Sequence, residues 1–204
     1  MKRIVTVLVL TATLFSACNK SSDAPAAATA ANEPKAGSKW VFKISSYNEA
    51  GTVTGTSNIT LVASNQTYSG SSWILLSDQA SGTPVIAIQK RSDGWWQLPL
   101  PASTPSLWYK NPAAVNDTYP LTINDGSTDN AKVTSITTAL TVPAGSFTDC
   151  TKVEGNDTNS LEEEFWFTSS GPIVLKITEW DQKAAGPASN VYLSEAWELV
   201  SFTQ

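Results

Sequence analysis

The sequence predicts an all-β domain made mainly of antiparallel strands, on three observations. Apolar residues alternate with polar ones at a period of two through most of the chain after residue 37, as strands with one buried face require. Clusters of Gly, Asn, Asp and Pro separate these segments at short intervals, as turns do. No segment carries apolar residues at three-to-four spacing between helix caps. A curled meander sheet, closed as a barrel or half-barrel, is therefore expected, and a two-sheet β-sandwich is the alternative.

The first half of the domain contains five predicted strands. Trp40, Phe42 and Ile44 alternate with polar neighbours in the first of them, and the tight turn 92–94 leads into the fifth. The five segments are 40–45, 53–63, 68–77, 84–90 and 95–98. The proline-rich stretch 99–120 follows, and because proline cannot donate to a strand ladder we expect loop or sheet edge there.

The second half repeats the pattern with five further predicted strands. They cover 132–142, 147–154, 162–167, 173–180 and 192–202. We expect mostly antiparallel strand in residues 38–202 and no helix longer than about three turns outside the extreme N-terminus.

The N-terminus has the three-part plan of a secretory signal peptide. Lys2 and Arg3 precede an apolar run over residues 4–15, and the small residues Ser16 and Ala17 follow it. The apolar run is too short to span a bilayer. Residues 1–17 are therefore predicted to be a cleaved signal peptide.

The residues around the predicted cleavage site resemble the lipobox of bacterial lipoproteins. The motif is Leu14-Phe15-Ser16-Ala17-Cys18, with Phe15 at a position where Leu is usual. The resemblance implies that Cys18 becomes the first residue of the mature chain and carries a diacylglyceryl thioether and an N-acyl chain, palmitate being typical. Two or more acyl chains anchor a protein stably, whereas one binds only marginally. An ordinary cleaved signal with an incidental cysteine is the alternative.

The segment after the cysteine is predicted to be a flexible tether. Residues 18–36 are rich in Ala, Ser, Asn and Pro and lack apolar periodicity, so they cannot bury enough surface to offset the entropy of ordering. A single domain over 37–204 follows. The residue directly after the cysteine, Asn19, is similar to what outer-membrane lipoproteins carry at that position. An acidic cluster there would favour surface display, but Asp23 is the only acidic residue close by. We therefore expect the cell outer membrane and leave the periplasmic or surface-facing side open.

A second resemblance covers roughly 40 residues of the second half. Residues 142–147, followed by Cys150, resemble a turn that recurs in uncharacterised envelope lipoproteins. The chain as a whole resembles an outer-membrane lipoprotein of the Bacteroidota. The segments 164–167 and 171–176 look similar to the strands that follow that turn. Some of these families look like relatives of the lipoprotein-localisation carriers, whose half-barrel cups a lipid. The resemblance marks structure and transfers no functional residue.

Composition argues against several classes of function. Loss of Lys2 and Arg3 with the signal takes the net charge from −5 to −7, which disfavours nucleic acid as a partner. The chain has no histidine, so a Ser-His-Asp triad is excluded and the Cys150 thiol lacks its usual activator. We expect Cys150 to be a small buried apolar residue.

No catalytic, metal or cofactor site is predicted. The adjacent carboxylates 162–164 should point to opposite faces of a strand rather than form a catalytic pair. The polar segment 124–130 lacks the spacing and terminal Glu of a calcium loop and is interpreted as a polar turn. The domain is therefore expected not to be an enzyme.

The aromatic residues supply the candidate ligand-binding site. Among the eight tryptophans, Trp95 and Trp96 are strand neighbours, so one should be buried and the other should line a cavity or the surface. Trp108 and Tyr109 add aromatic rings in the following predicted loop. Such rings favour a concave sheet that binds an apolar or lipid-like ligand, or alternatively a module that binds glycan or an envelope protein through exposed aromatics.

Overall fold

The computed structural model describes residues 33–100, 104–122, 126–156, 161–169, 171, 173–187 and 190–204. The predicted signal peptide 1–17, the predicted lipidation site Cys18 and tether residues 19–32 lie outside the described residues. The described residues contain no α-helix. Accordingly, no helix in this part of the chain has the length and apolar character needed to cross a membrane.

The described residues form twelve strands in one antiparallel sheet. The strands are β1 (Lys39–Tyr47), β2 (Val53–Tyr68), β3 (Ser71–Asp78), β4 (Pro84–Arg91), β5 (Gly94–Pro99), β6 (Ser106–Lys110), β7 (Thr118–Thr122), β8 (Thr128–Val142), β9 (Gly145–Asn156), β10 (Leu161–Phe167), β11 (Val174–Gln182) and β12 (Val191–Thr203). Their order across the sheet is β6-β5-β4-β3-β2-β1-β12-β11-β10-β9-β8-β7. The predicted all-β antiparallel meander is confirmed.

The proline-rich stretch 99–120 contains the two strands that the sequence did not reveal. It holds β6 and the first part of β7, which are the two edges of the sheet. Pro120 lies within β7, where an edge strand tolerates a missing N–H. The expectation of a sheet edge is confirmed here. The placement of Trp108 and Tyr109 in a loop is wrong, because both belong to β6.

The two edge strands meet along a seam, so the sheet rolls into a nearly closed barrel. The bonds across the seam involve side chains. The Thr122 N–H donates to Ser106 Oγ (2.9 Å), Gln97 Nε2 donates to the Thr122 carbonyl (2.7 Å), and the Tyr119 hydroxyl donates to the Trp108 carbonyl (3.1 Å). The predicted barrel is confirmed and the β-sandwich alternative is not formed.

The chain joins the barrel at the end where β1 begins, which we call the near end. The backbone carbonyl of Glu33 accepts a hydrogen bond from Gln204 Nε2 (2.6 Å), and the Glu33 carboxylate forms an ion pair with Lys90. The Gly37 N–H donates to the Ala63 carbonyl (2.9 Å). These contacts begin four residues before the predicted domain boundary. The opposite end of the barrel, where β1 finishes, is the far end.

The β8–β9 hairpin fills the near end of the barrel. Its tip lies at residues 143–144, and the Ala144 N–H donates to the Leu199 carbonyl of β12 (2.9 Å). Val142 is buried and Phe147 packs against the main core. This tip is the turn whose sequence resembles one that recurs in envelope lipoproteins. In this chain it holds the hairpin against β12.

Candidate functional site

The inner face of the barrel encloses a cavity of about 120 Å³. Strand alternation places its lining side chains, because every second residue of a strand points inward. Most of these side chains are aliphatic or aromatic, as in ligand pockets generally. The walls include Trp40, Phe42, Ile86, Ile88, Phe165 and Ile177.

The cavity opens toward the far end of the barrel. The lining residues Ile177, Glu179 and Trp197 at that end are half-buried, whereas Leu61 and Phe165, deeper in the barrel, are buried. The polar residues of the lining lie at the far end as well. The cavity therefore has an apolar floor and a more polar mouth.

Aromatic rings form a large part of the wall. The Trp108 and Phe165 rings meet edge to face with centroids 6.3 Å apart, and the Phe42 and Trp197 rings do so at 6.1 Å, the geometry that aromatic pairs prefer. The Trp197 indole N–H donates to the carboxylate of Glu195. This bond fixes the Trp197 ring at the mouth.

Three glutamates form an acidic row across β10, β11 and β12 at the mouth. Glu163 lies opposite Glu179, and Glu179 lies opposite Glu195. Glu163 and Glu179 line the cavity. Burial, followed by the nearby charges of Glu195 and Asp181, raises the pKa of the Glu179 carboxyl above its usual value. Like charges directly opposite one another destabilise a sheet, so this row is an unusual feature of the site.

Sequence reasoning missed the acidic row. It treated Glu163 only with its sequence neighbours, whereas the row depends on the pairing of three strands. One signal was present, because Glu163, Glu179 and Glu195 are spaced sixteen residues apart. Consecutive hairpins with that repeat distance can bring such positions side by side.

The charges on the outer face are arranged differently. Glu164, the neighbour of Glu163, points outward, contacts Lys152 Nζ at 2.5 Å and accepts a hydrogen bond from the Thr178 hydroxyl (3.0 Å). The ammonium groups of Lys152 and Lys176 lie 5.3 Å and 5.6 Å from the ring centroid of Trp166. Acidic and basic groups therefore compensate one another on this face.

Trp95 and Trp96 lie on opposite faces of β5, as strand alternation requires. Trp95 is 3% exposed and belongs to the main core. Trp96 is half-buried in a smaller outer cluster with Trp73. The Arg91 guanidinium lies 4.1 Å from the Trp96 ring centroid, and the Trp96 indole N–H donates to Asp93 Oδ1 (2.9 Å). Neither tryptophan lines the cavity.

Trp108 and Tyr109 both point into the barrel because a β-bulge interrupts β6. Trp95 lies opposite Tyr109 and Trp96 lies opposite Leu107, which leaves Trp108 as the extra residue. Trp108 lines the cavity, is 5% exposed, and its indole N–H has no hydrogen-bond partner among the described residues. Tyr109 is 2% exposed and packs on Phe167. Of the four predicted ligand-binding residues, Trp108 is the one at the cavity.

Two further features considered in the sequence are Cys150 and the polar segment 124–130. Cys150 is buried, and burial raises the pKa of its thiol to about 11. Asn124 and Asp125 of the polar segment 124–130 lie outside the described residues. Within the described ranges, no group of three or more metal-ligating side chains is placed to hold a metal ion.

Comparisons with known proteins give one structural likeness. No protein-family model matches this chain, and no curated protein sequence matches it significantly. Among solved structures, the chain is similar to a LolA superfamily protein from Nitrosomonas europaea, with 13% sequence identity and a TM-score of 0.22. The match covers 84% of this chain and 86% of that chain. The fold described above rests on the strand order and pairing of this chain itself.

Proposed function

We propose that this chain is an envelope lipoprotein whose β-rich domain binds an apolar or lipid-like group without catalysing a reaction. The observation that carries the proposal is the cavity of about 120 Å³, with aliphatic and aromatic walls and a mouth at the far end. A concave apolar site with a few polar groups is the usual form of a small-molecule site.

The size of the cavity limits what can enter it. An engineered apolar cavity of about 150 Å³ binds benzene, so the cavity of about 120 Å³ in this chain suits a group of roughly that bulk. A single ring or the end of an acyl chain fits, whereas a whole lipid molecule does not. The ligand therefore inserts one terminal apolar group and leaves the rest of its body outside the barrel.

Membrane attachment is the second part of the proposal. Its support is the lipobox-like motif that ends at Cys18. Lipid on that cysteine would hold the domain at the outer membrane, on either its periplasmic or its surface-facing side. Asn19 after the cysteine supports the outer membrane as the location.

The alternative, a module that binds glycan or an envelope protein through exposed aromatics, has less support. Trp95, Trp108 and Tyr109 are buried. The half-buried ring of Trp96 is covered on one side by Arg91. We therefore favour the cavity over the outer face.

The test is to fill the cavity and measure the loss of binding. Hexan-1-ol serves as a neutral apolar probe, and isothermal titration calorimetry measures its affinity for the full-length chain in a neutral detergent. Ile86→Trp places a bulky ring at the lining, so we expect it to abolish binding. Val53→Trp, at an exposed position of β2, is the matched control and should bind as the parent chain does. Unchanged affinity in the folded Ile86→Trp variant would contradict the proposal.

A further inference from the structure

The charged side chains that line the cavity are all acidic. Glu163 and Glu179 line it, and no Lys or Arg does so among the described residues. Lys152 of β9 and Lys176 of β11 lie on the outer face. There they are paired with Glu164 and Glu198 respectively. These two lysines therefore contact outer carboxylates and not the Glu179 carboxylate inside the barrel.

The position of these carboxylates lowers the stability of the folded protein. Glu179 is half-buried and lies between Glu163 and Glu195 in the sheet, and Asp181 on the same strand adds a fourth acidic group nearby. Repulsion between ionised groups rises as water is excluded from around them. A bound cation would relieve both the repulsion and the burial cost.

The aromatic wall beside the row favours an organic cation. Ring faces attract ammonium groups, and cages built from aromatic rings are a common way to recognise quaternary ammonium ligands. Trp40, Phe42 and Trp197 line the same cavity as the glutamates. Trp108 also lines the cavity, and its buried indole N–H has no hydrogen-bond partner among the described residues. An ammonium group cannot accept this bond, so an oxygen elsewhere in the ligand would be its acceptor.

We infer that the ligand is an alkylammonium compound, whose cationic group lies against Glu163 and Glu179 while its apolar part occupies the aromatic-walled cavity. This inference rests on the proposed function and adds that the ligand carries a positive charge. The cation can be the head group of an amphiphile or a free small amine, since both share the ammonium group and its apolar substituents. Carboxylate or phosphate ligands of equal apolar bulk are disfavoured, because the row repels them.

The test compares three probes with the same alkyl chain and different charges. Hexyltrimethylammonium, hexan-1-ol and hexanoate are titrated into the full-length chain in neutral detergent at neutral pH, with calorimetry as the readout. We expect the ammonium probe to bind at least about tenfold more tightly than the alcohol, because Coulombic attraction to carboxylates and contact with aromatic rings both favour a cation in a partly buried site. Hexanoate should bind more weakly than the alcohol. Tetramethylammonium, which lacks the chain, distinguishes a free small cation from an amphiphile as the preferred form.

Two variants, each lacking one carboxylate, test whether the ammonium probe binds at the acidic row. Glu179→Gln removes a Coulombic attraction and should weaken binding of the ammonium probe by about tenfold or more, while binding of hexan-1-ol should stay nearly unchanged. Glu198→Gln removes a carboxylate from the outer face and should leave both affinities as they are. Thermal melting of each variant confirms that it is folded.

The outcomes separate this inference from the proposed function. Equal affinity for all three probes would overturn the cationic ligand and leave the apolar cavity standing. Tighter binding of hexanoate would also overturn it. No binding of any probe would overturn both. A calcium-dependent gain in hexanoate affinity would show that the row binds a metal ion, which contradicts the organic cation.

Discussion

Gly94 shows how a single residue allows the first edge strand to pack. Its φ is +143°, a region that L side chains rarely adopt. A Cβ at this position would lie 2.1 Å from the backbone carbonyl oxygen of Tyr109. Since a backbone atom cannot move aside as a flexible side chain does, glycine is required where β5 and β6 approach each other.

We therefore expect Gly94→Ala to destabilise the domain by about 2 kcal/mol or more, from backbone strain and a steric clash together. Gly55→Ala in β2 is the control, because its φ is ordinary and a Cβ there meets no atom within 4 Å. Chemical denaturation of both variants measures the free energy of unfolding. Equal stability of the two would mean that β6 can shift to accept a side chain.

Glu179 makes stability depend on pH in a defined direction. Its pKa in the folded state is raised above the ordinary value of 4.5, so the folded state binds the proton more tightly than the unfolded state does. Ionisation therefore costs folding free energy as pH rises above about 4.5 through the folded-state pKa, and this cost is absent at lower pH.

Glu179→Gln should accordingly raise the melting temperature at pH 8 and have little effect at pH 4. Glu198→Gln is the control, since its carboxylate lies 3.7 Å from Lys176 Nζ on the outer face and its removal relieves no buried charge. Thermal melts of the three proteins at both pH values provide the measurement. An effect of equal size at pH 4 and pH 8 would contradict this assignment.

At the scale of strands, the sequence predicts most of the sheet because alternation is a local signal. Trp40 and Phe42, for example, identify the inner face of β1 from their spacing alone. The sequence did not predict β6 and β7, because prolines interrupt the pattern that identifies short strands. The bulge that turns Trp108 and Tyr109 to the same face also depends on pairing with β5, which spacing along one strand cannot show.

The acidic row and the seam could not be predicted from the sequence, for a related reason. Both depend on which strands become neighbours and in what register, and register is set by turn lengths and bulges together. Glu163 and Glu179 belong to different hairpin arms, and Ser106 and Thr122 belong to different edges. A single sequence contains the residues but not their juxtaposition.

The seam should be the weakest line of the barrel, because side-chain bonds replace a backbone ladder there. Tyr119→Phe removes the buried bond from the Tyr119 hydroxyl to the Trp108 carbonyl and should cost about 1–3 kcal/mol. Amide hydrogen exchange in β6 and β7 should accelerate more than in β1. Tyr192→Phe, whose hydroxyl makes no hydrogen bond within the described residues, is the control. Faster exchange in all three strands alike would show that the seam is no weaker than the rest.

For the whole molecule, the proposed anchor predicts where the protein is found. Cys18→Ser should abolish labelling by a palmitate analogue and release the protein from the membrane fraction, because no other lipid attachment is proposed. Cys150→Ser is the matched control, since that thiol is buried in β9. Continued labelling of the Cys18→Ser variant would refute the lipoprotein assignment.

The contacts of Glu33 with Lys90 and Gln204 have a consequence for the direction in which the molecule faces. They fix the incoming chain at the near end, whereas the cavity opens at the far end, about 30 Å away along the nine residues of β1. The tether predicted from the sequence would reach at most about 50 Å from residue 18 to residue 32 if fully extended, and roughly 20 Å as a flexible coil. In a lipid-anchored molecule whose tether has the coil length, which is shorter than the barrel, the opening would thus face away from the bilayer. It would meet ligands arriving from the aqueous side or from an opposing surface before any in its own bilayer.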